Sequence, residues 1–180
     1  MNTNLYFRRE LNSQNNIPKK QIISLLVKDD SGVLLRLTKI FSTYNINIES
    51  ITVGKTQNDK ELRINFLICS KSYKLNDFIR KISSLQNVIK VISLDEEESI
   101  GGELVLVKLK ASAQDRPIIH KIALTYGAKV IDISQNSITL QFFGTIDEIN
   151  ELLSHLEPRG ILEVSRTGYV ALEKGDSAII

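Results

Sequence analysis

Residues 28–41, KDDSGVLLRLTKIF, and the segment 45–54 behind them, NINIESITVG, decide the fold. The run Ile22 to Val27 ahead of them is continuously apolar and of strand length, and Lys28-Asp29-Asp30-Ser31-Gly32 ends it with turn-forming residues. Leu34, Leu37, Ile40, Phe41 and Tyr44 then recur at helical spacing, which predicts an amphipathic helix over 33–44. A β-branched stretch at 47–56 predicts the next strand. Strand, tight turn, helix and strand thus follow one another with almost no spare residues.

The same logic extends outward. Residues 62–70 form a second strand behind the hairpin signal Gln57-Asn58-Asp59-Lys60, with Leu62, Ile64, Phe66 and Ile68 on one face and Arg63 and Asn65 on the other. Leu75, Phe78, Ile79, Ile82 and Leu85 mark a helix, and 88–94 a closing strand, giving the order βαββαβ. The acidic run Asp95-Glu96-Glu97-Glu98 leads through Ser99 and Ile100 to Gly101-Gly102 and reads as a linker. Beyond it the order repeats: a strand at 103–111, a helix at 116–126, strands at 129–134 and 138–143, a helix at 146–156, and short strands at 161–166 and 169–172. The expected class is α+β, two tandem ferredoxin-like βαββαβ domains with helices on one face of each sheet. The expected boundaries are a mobile arm at 1–20, a first domain at 21–95, a linker at 96–102 and a second domain at 103–180. Units this small bury a modest share of their surface, so dimerisation through sheets or edges is expected.

Composition excludes several function classes. Of 180 residues, 42% are apolar and 24% charged, which fits globular domains rather than a disordered chain. With 23 Lys and Arg against 21 Asp and Glu, the net charge of +2 gives no electrostatic footprint for nucleic acid. No apolar run approaches the roughly 20 residues of a membrane span, and the first 20 residues lack the apolar core of a secretion signal. A single cysteine rules out an internal disulfide.

Catalytic groups do not converge either. Cys69 lies in an apolar strand and reads as a buried structural thiol, His120 and His155 fall on helices of different units, and Glu96 to Glu98 read as a solvated linker. No glycine-rich phosphate loop occurs, no metal-ligand spacing, and no clustered polar residues on one sheet face. The turn at 29–32 is better placed. A helix N-terminus suits a carboxylate, Gly32 permits close backbone approach, and Asp29 suits an ammonium group. The plainer alternative is that Asp or Ser there caps the helix.

The quoted segments resemble the small regulatory subunit family of acetolactate synthase (acetohydroxyacid synthase). Its ACT domain has a strand, a D/N-x-[SP]-G-x-L turn, a helix ending in Phe and then N-I-x-S-[IL]-[TA]-V-G. ELVLVKLKA at 103–111, AKVIDIS at 128–134 and SRTGYVALEKGD at 165–176 are similar to that family's C-terminal domain, so the resemblance runs from about 22 to 176. It implies a non-catalytic subunit of branched-chain amino acid biosynthesis that activates a large catalytic subunit and confers feedback inhibition by valine. The chain itself would hold no cofactor or metal; thiamine diphosphate, Mg²⁺ and FAD belong on the large subunit. The implied pocket lies between two ACT domains of a homodimer, with Asp29, Ser31, Gly32, Val33 and Leu34 from one chain and Asn47 and Ile48 from the other. Neither nucleic acid nor a membrane is an expected partner. The cytoplasm is the expected location, the plastid stroma the alternative, and the rival function is a free-standing ACT-domain sensor of another pathway.

Overall fold

The alternation that separates Arg63 and Asn65 from their neighbours sets the first sheet. In the computed structural model, which describes residues 19–70, 75–95 and 98–179, β1 (Lys19–Lys28) lies between β3 (Glu61–Ser70) and β4 (Val88–Leu94), antiparallel to both. β2 (Asn47–Lys55) completes the order β2-β3-β1-β4 and forms an edge. Helices α1 (Val33–Thr43) and α2 (Leu75–Ser83) supply Val33, Leu37, Ile40, Phe41, Phe78 and Ile82 to a core shared with Ile23, Leu25, Val27, Ile64, Phe66 and Ile68. Phe41 sits at its centre, its ring centroid 4.4 Å from that of Phe66 and 4.7 Å from that of Phe78.

The opposite face of this sheet differs from expectation. Ile22, Ser24, Leu26, Leu67 and Leu94 are buried there too. Polar residues do cluster on it: Ser24 Oγ donates to Asn65 Oδ1 at 2.7 Å, and Asn65 Nδ2 donates to Thr52 Oγ1 at 3.1 Å, a row crossing β1, β3 and β2. The cluster escapes a linear reading because each strand gives it a single residue. Its donors and acceptors satisfy one another, as buried polar groups require. Cys69, on the same strand as Asn65, is half-buried rather than buried.

The second unit repeats the plan. β5 (Ser99–Lys110) is central in the order β6-β7-β5-β8, formed with β6 (Lys129–Ile133), β7 (Ser137–Gly144) and β8 (Ile161–Arg166). Helices α3 (Arg116–Tyr126) and α4 (Ile146–Leu156) cover one face, burying Ile119, Ala123, Ile149, Leu152 and Leu156 against Val105, Val107, Leu109 and Leu140. Thr145 caps α4: its hydroxyl accepts from the Glu148 N–H, and the Glu148 carboxylate accepts from the Thr145 N–H at 2.7 Å. The Thr145 N–H and, at 2.9 Å, the Thr145 hydroxyl both donate to the Glu148 carboxyl and hold it below the usual carboxylate range.

Two boundaries move. β1 begins at Lys19, so the last two residues assigned to the arm are strand; residues 1–18 lie outside those described. β5 begins at Ser99, so Gly101 and Gly102 are strand residues instead of linker, paired with Ala171 and Val170 of β9 (Val170–Glu173). A Cβ on Gly101 would stand 2.6 Å from the Tyr169 ring, and one on Gly102 would stand 2.7 Å from the Gly144 carbonyl oxygen. The glycine pair therefore permits close approach within a sheet. The described residues divide by contact into two units, one of 19–95 with Ala178 and Ile179 and the other of 98–177.

The SRTGYV segment is anchored by charge. Arg166 Nε donates to Glu103 Oε2 at 2.6 Å and Nη1 to Asn150 Oδ1 at 3.2 Å, tying β8 to β5 and α4. Glu103 is only 4% exposed. Arg166→Ala strands this carboxylate in the interior and should cost about 3 kcal/mol, read as a lower urea midpoint of the second unit in the full chain.

Candidate functional site

The turn between β1 and α1 is held from three sides. The Lys28 N–H donates to the Asn87 carbonyl at 2.9 Å, the Asp29 N–H to the Lys60 carbonyl at 2.8 Å, and the Val33 N–H to the Asp30 carbonyl at 3.2 Å. Gly32 occupies the N-cap position at φ 83°, where a side chain is disfavoured, and no side chain caps the helix. The capping alternative for Asp or Ser is thus not what this turn does. The positive end of α1 stays open to an outside anion.

Two residues that the sequence reading missed shape this opening. Asp30 Oδ2 accepts from Arg36 Nη2 at 2.6 Å and from Asn87 Nδ2 at 2.5 Å. Arg36 therefore arches back over the turn, and a Cβ on Gly32 would lie 3.4 Å from its Nη1. The signal for Arg36 was present, since the first turn of a helix brings its fourth residue back over the N-cap. Asn87 is 57 residues away from Asp30, beyond any local pattern.

The expected site residues separate into groups. Asp29, Ser31 and Gly32 are exposed at the turn, and the Asp29 carboxylate has no hydrogen bond or ion pair among the described residues. Leu34 is 39% exposed beside them. Val33 turns its side chain into the core. Asn47 and Ile48 are not brought to the turn: Asn47 pairs with Cys69 opposite Lys20, whereas the turn follows Lys28, opposite Glu61. Eight residues of strand, about 25 Å, separate the two groups within one chain.

Elsewhere the structure offers little chemistry. His120 and His155 are exposed, and His155 Nδ1 lies 2.9 Å from the Tyr126 hydroxyl. Glu96 and Glu97 lie outside the described residues, among which no three His, Cys, Asp or Glu gather into a metal-binding group. An open depression of about 560 Å³ in the second unit, lined by Asn150, Leu153, Ser154, Glu157, Gly160 and Ile161, includes none of the expected residues. No described helix is long and apolar enough to cross a membrane.

An exposed apolar margin runs beside the turn. Ile51 and Val53 on the edge strand β2 are 39% and 44% exposed, and Leu35 of α1 is 60% exposed. An edge strand with unpaired N–H and C=O groups and apolar side chains is a template for another strand.

Comparison with known proteins matches both units. Residues 23–90 fit the family described as AHAS small subunit-like ACT domain, and residues 102–175 the family described as small subunit of acetolactate synthase. The acetolactate synthase small subunit of Mycobacterium bovis is 35% identical over 162 residues, 90% of this chain and 96% of that one. That of Haemophilus influenzae is 31% identical over 89% of this chain and 99% of its own length. The crystal structure of the acetolactate synthase small subunit from Thermotoga maritima superimposes with a TM-score of 0.82 at 23% identity, over 88% of this chain and 99% of that one.

Proposed function

The chain belongs to the acetolactate synthase small subunits, a family of branched-chain amino acid biosynthesis that implies a large catalytic subunit as partner, and from that premise we propose that it is the regulatory element that activates this partner and makes it sensitive to valine. Thiamine diphosphate, Mg²⁺ and FAD, with the chemistry they supply, belong to the large subunit on this reading. Assembly takes place in the cytoplasm. The match over both units favours it above a free-standing sensor, for which the first unit alone would suffice.

One observation carries the effector site. The turn at 29–32 and the pair Asn47 and Ile48 stand at opposite ends of the first sheet, and β2 is an open edge. When two copies pair antiparallel along β2, the start of one strand meets the end of the other. Asn47 and Ile48 of one protomer then stand near the turn of its partner. The valine carboxylate takes the α1 N-terminus, helped by Arg36; Asp29 or the partner's Asn47 takes the ammonium; Leu34 and the partner's Ile48 receive the branched side chain. A pocket divided between chains makes effector binding and pairing thermodynamically linked. Valine shifts the large subunit only through its different affinity for two arrangements of the paired domains, a coupling of about 1–3 kcal/mol.

The test is acetolactate production by the cognate large subunit, with and without this chain, across a valine titration. Stimulation that valine reverses is expected. Stimulation that valine leaves untouched would remove valine as the effector, and no stimulation at all would remove the activating role.

A further inference from the structure

Among the described residues of the first sheet, Arg63 and Gln21 carry buried side-chain polar atoms without a partner, and of the two only Arg63 is charged. It lies on β3, on the face away from α1 and α2, opposite Leu26 of β1 and Gly54 of β2. Its Nε and Nη2 are shielded from water and have no hydrogen-bond partner. No described carboxylate pairs with it, and burial holds its pKa below the usual arginine value. A shielded guanidinium calls for an anion. Its polar neighbours cannot supply one, because Ser24, Asn65 and Thr52 bond to one another. Towards the edge the way is clear: nothing lies within 4 Å of where a Gly54 Cβ would stand.

We infer that this anion is Glu49 of a second copy of the chain, so that two β2 edges, once paired, are fastened by a reciprocal Arg63–Glu49 contact on the face away from the helices. The inference rests on the paired-edge reading above and adds to it a specific contact. Glu49 sits at a bulge, where the pairing of β2 with β3 slips between Ile48 and Ser50. Its Oε2 lies 3.9 Å from Nζ of Lys20, which by the two-residue period of β1 shares the face of Ser24, Leu26 and Arg63. That loose contact leaves Glu49 free to change partner. Antiparallel pairing centred on Ile51, the middle of β2, sets Glu49 of one protomer opposite the stretch from Thr52 to Gly54 of the other. Two strand spacings, about 10 Å, then separate its backbone from that of Arg63, a gap that the two long side chains close together. The two-fold axis repeats the contact, and Gly54 leaves the arginine its path.

The experiment is sedimentation equilibrium of the full chain, native and as Arg63→Glu, Glu49→Arg and the double exchange, with circular dichroism to follow folding. Each single exchange should raise the dimer dissociation constant at least about tenfold, and the double exchange should return it near the native value. The milder pair Arg63→Gln and Glu49→Gln gives the same reading if a reversal of charge disturbs folding. Rising salt should weaken the native dimer more than Arg63→Gln. Single exchanges that leave native dimer strength, or a double exchange no tighter than the singles, would overturn the contact while paired edges stand. A native chain that stays monomeric at every concentration would overturn the edge pairing and the contact with it.

Discussion

Gly32→Asp should leave this chain able to stimulate its large subunit and unable to make it respond to valine. Gly32 stands at φ 83° with only the Arg36 guanidinium near, at 3.4 Å from a Cβ, so an added side chain meets a flexible tip rather than backbone. The left-handed conformation costs a non-glycine residue about 1–2 kcal/mol, and aspartate is among those that tolerate it best. The fold survives. The new carboxylate, however, is delivered to the place proposed for the effector: beside Arg36 and the uncapped start of α1. As a built-in occupant it competes at a local concentration no free amino acid matches. The whole inhibitory coupling, about 1–3 kcal/mol or 5–150-fold in affinity, should vanish. Acetolactate formation over a valine titration decides it. Joint loss of stimulation and inhibition, in a chain that still melts cooperatively, would mean that the turn serves the large subunit and not the effector.

Ile51→Lys should separate the protomers. Ile51 is 39% exposed in the single chain, so a lysine there keeps its ammonium in water and costs the isolated fold little. In the proposed paired sheet the two-fold axis passes near this residue, so each dimer would lose two apolar side chains from its margin and gain two facing cations. With only 39% of each side chain left to bury, at about 1.5–3 kcal/mol for a whole one, the loss is about 1.2–2.4 kcal/mol, or about 10- to 60-fold in the dissociation constant, before the two cations repel. Sedimentation should show monomers at concentrations where the native chain pairs as proposed, and valine sensitivity should fall with them because Asn47 and Ile48 no longer reach a partner's turn. A chain that remained a tight dimer would place the interface elsewhere.

Local chemistry explains why so much of the fold was legible. Every helix and strand expected from the sequence is present, because each carries its own period: two residues in β3, three to four in α2 and α4. The errors arose where a residue's meaning depends on something distant. Gly101-Gly102 reads as the end of a linker after an acidic run, yet the pair admits Tyr169 and the Gly144 carbonyl, which lie 68 and 42 residues away from Gly101 and Gly102. Ser24, Asn65 and Thr52 are unremarkable singly and form one hydrogen-bonded row only once three strands are in register. At the site, the turn and its glycine were visible, whereas the Asp30–Asn87 bond was not. Arg36 lies inside the helix expected over 33–44 and carries no assignment there, although a helix start directs that position back over its own N-cap. Asn47 and Ile48 were located correctly along β2, but their distance from the turn follows only from the strand order.

That distance has a genetic consequence. If each pocket combines the turn of one protomer with the strand start of the other, a chain damaged at Gly32 and a chain damaged at Asn47 are each blind to the effector when paired with their own kind. Mixed in one cell, the two alleles also form heterodimers. One pocket of such a heterodimer collects both lesions and the other collects neither. Two defective copies would therefore restore part of the feedback response by complementation, and two lesions within the same turn would not.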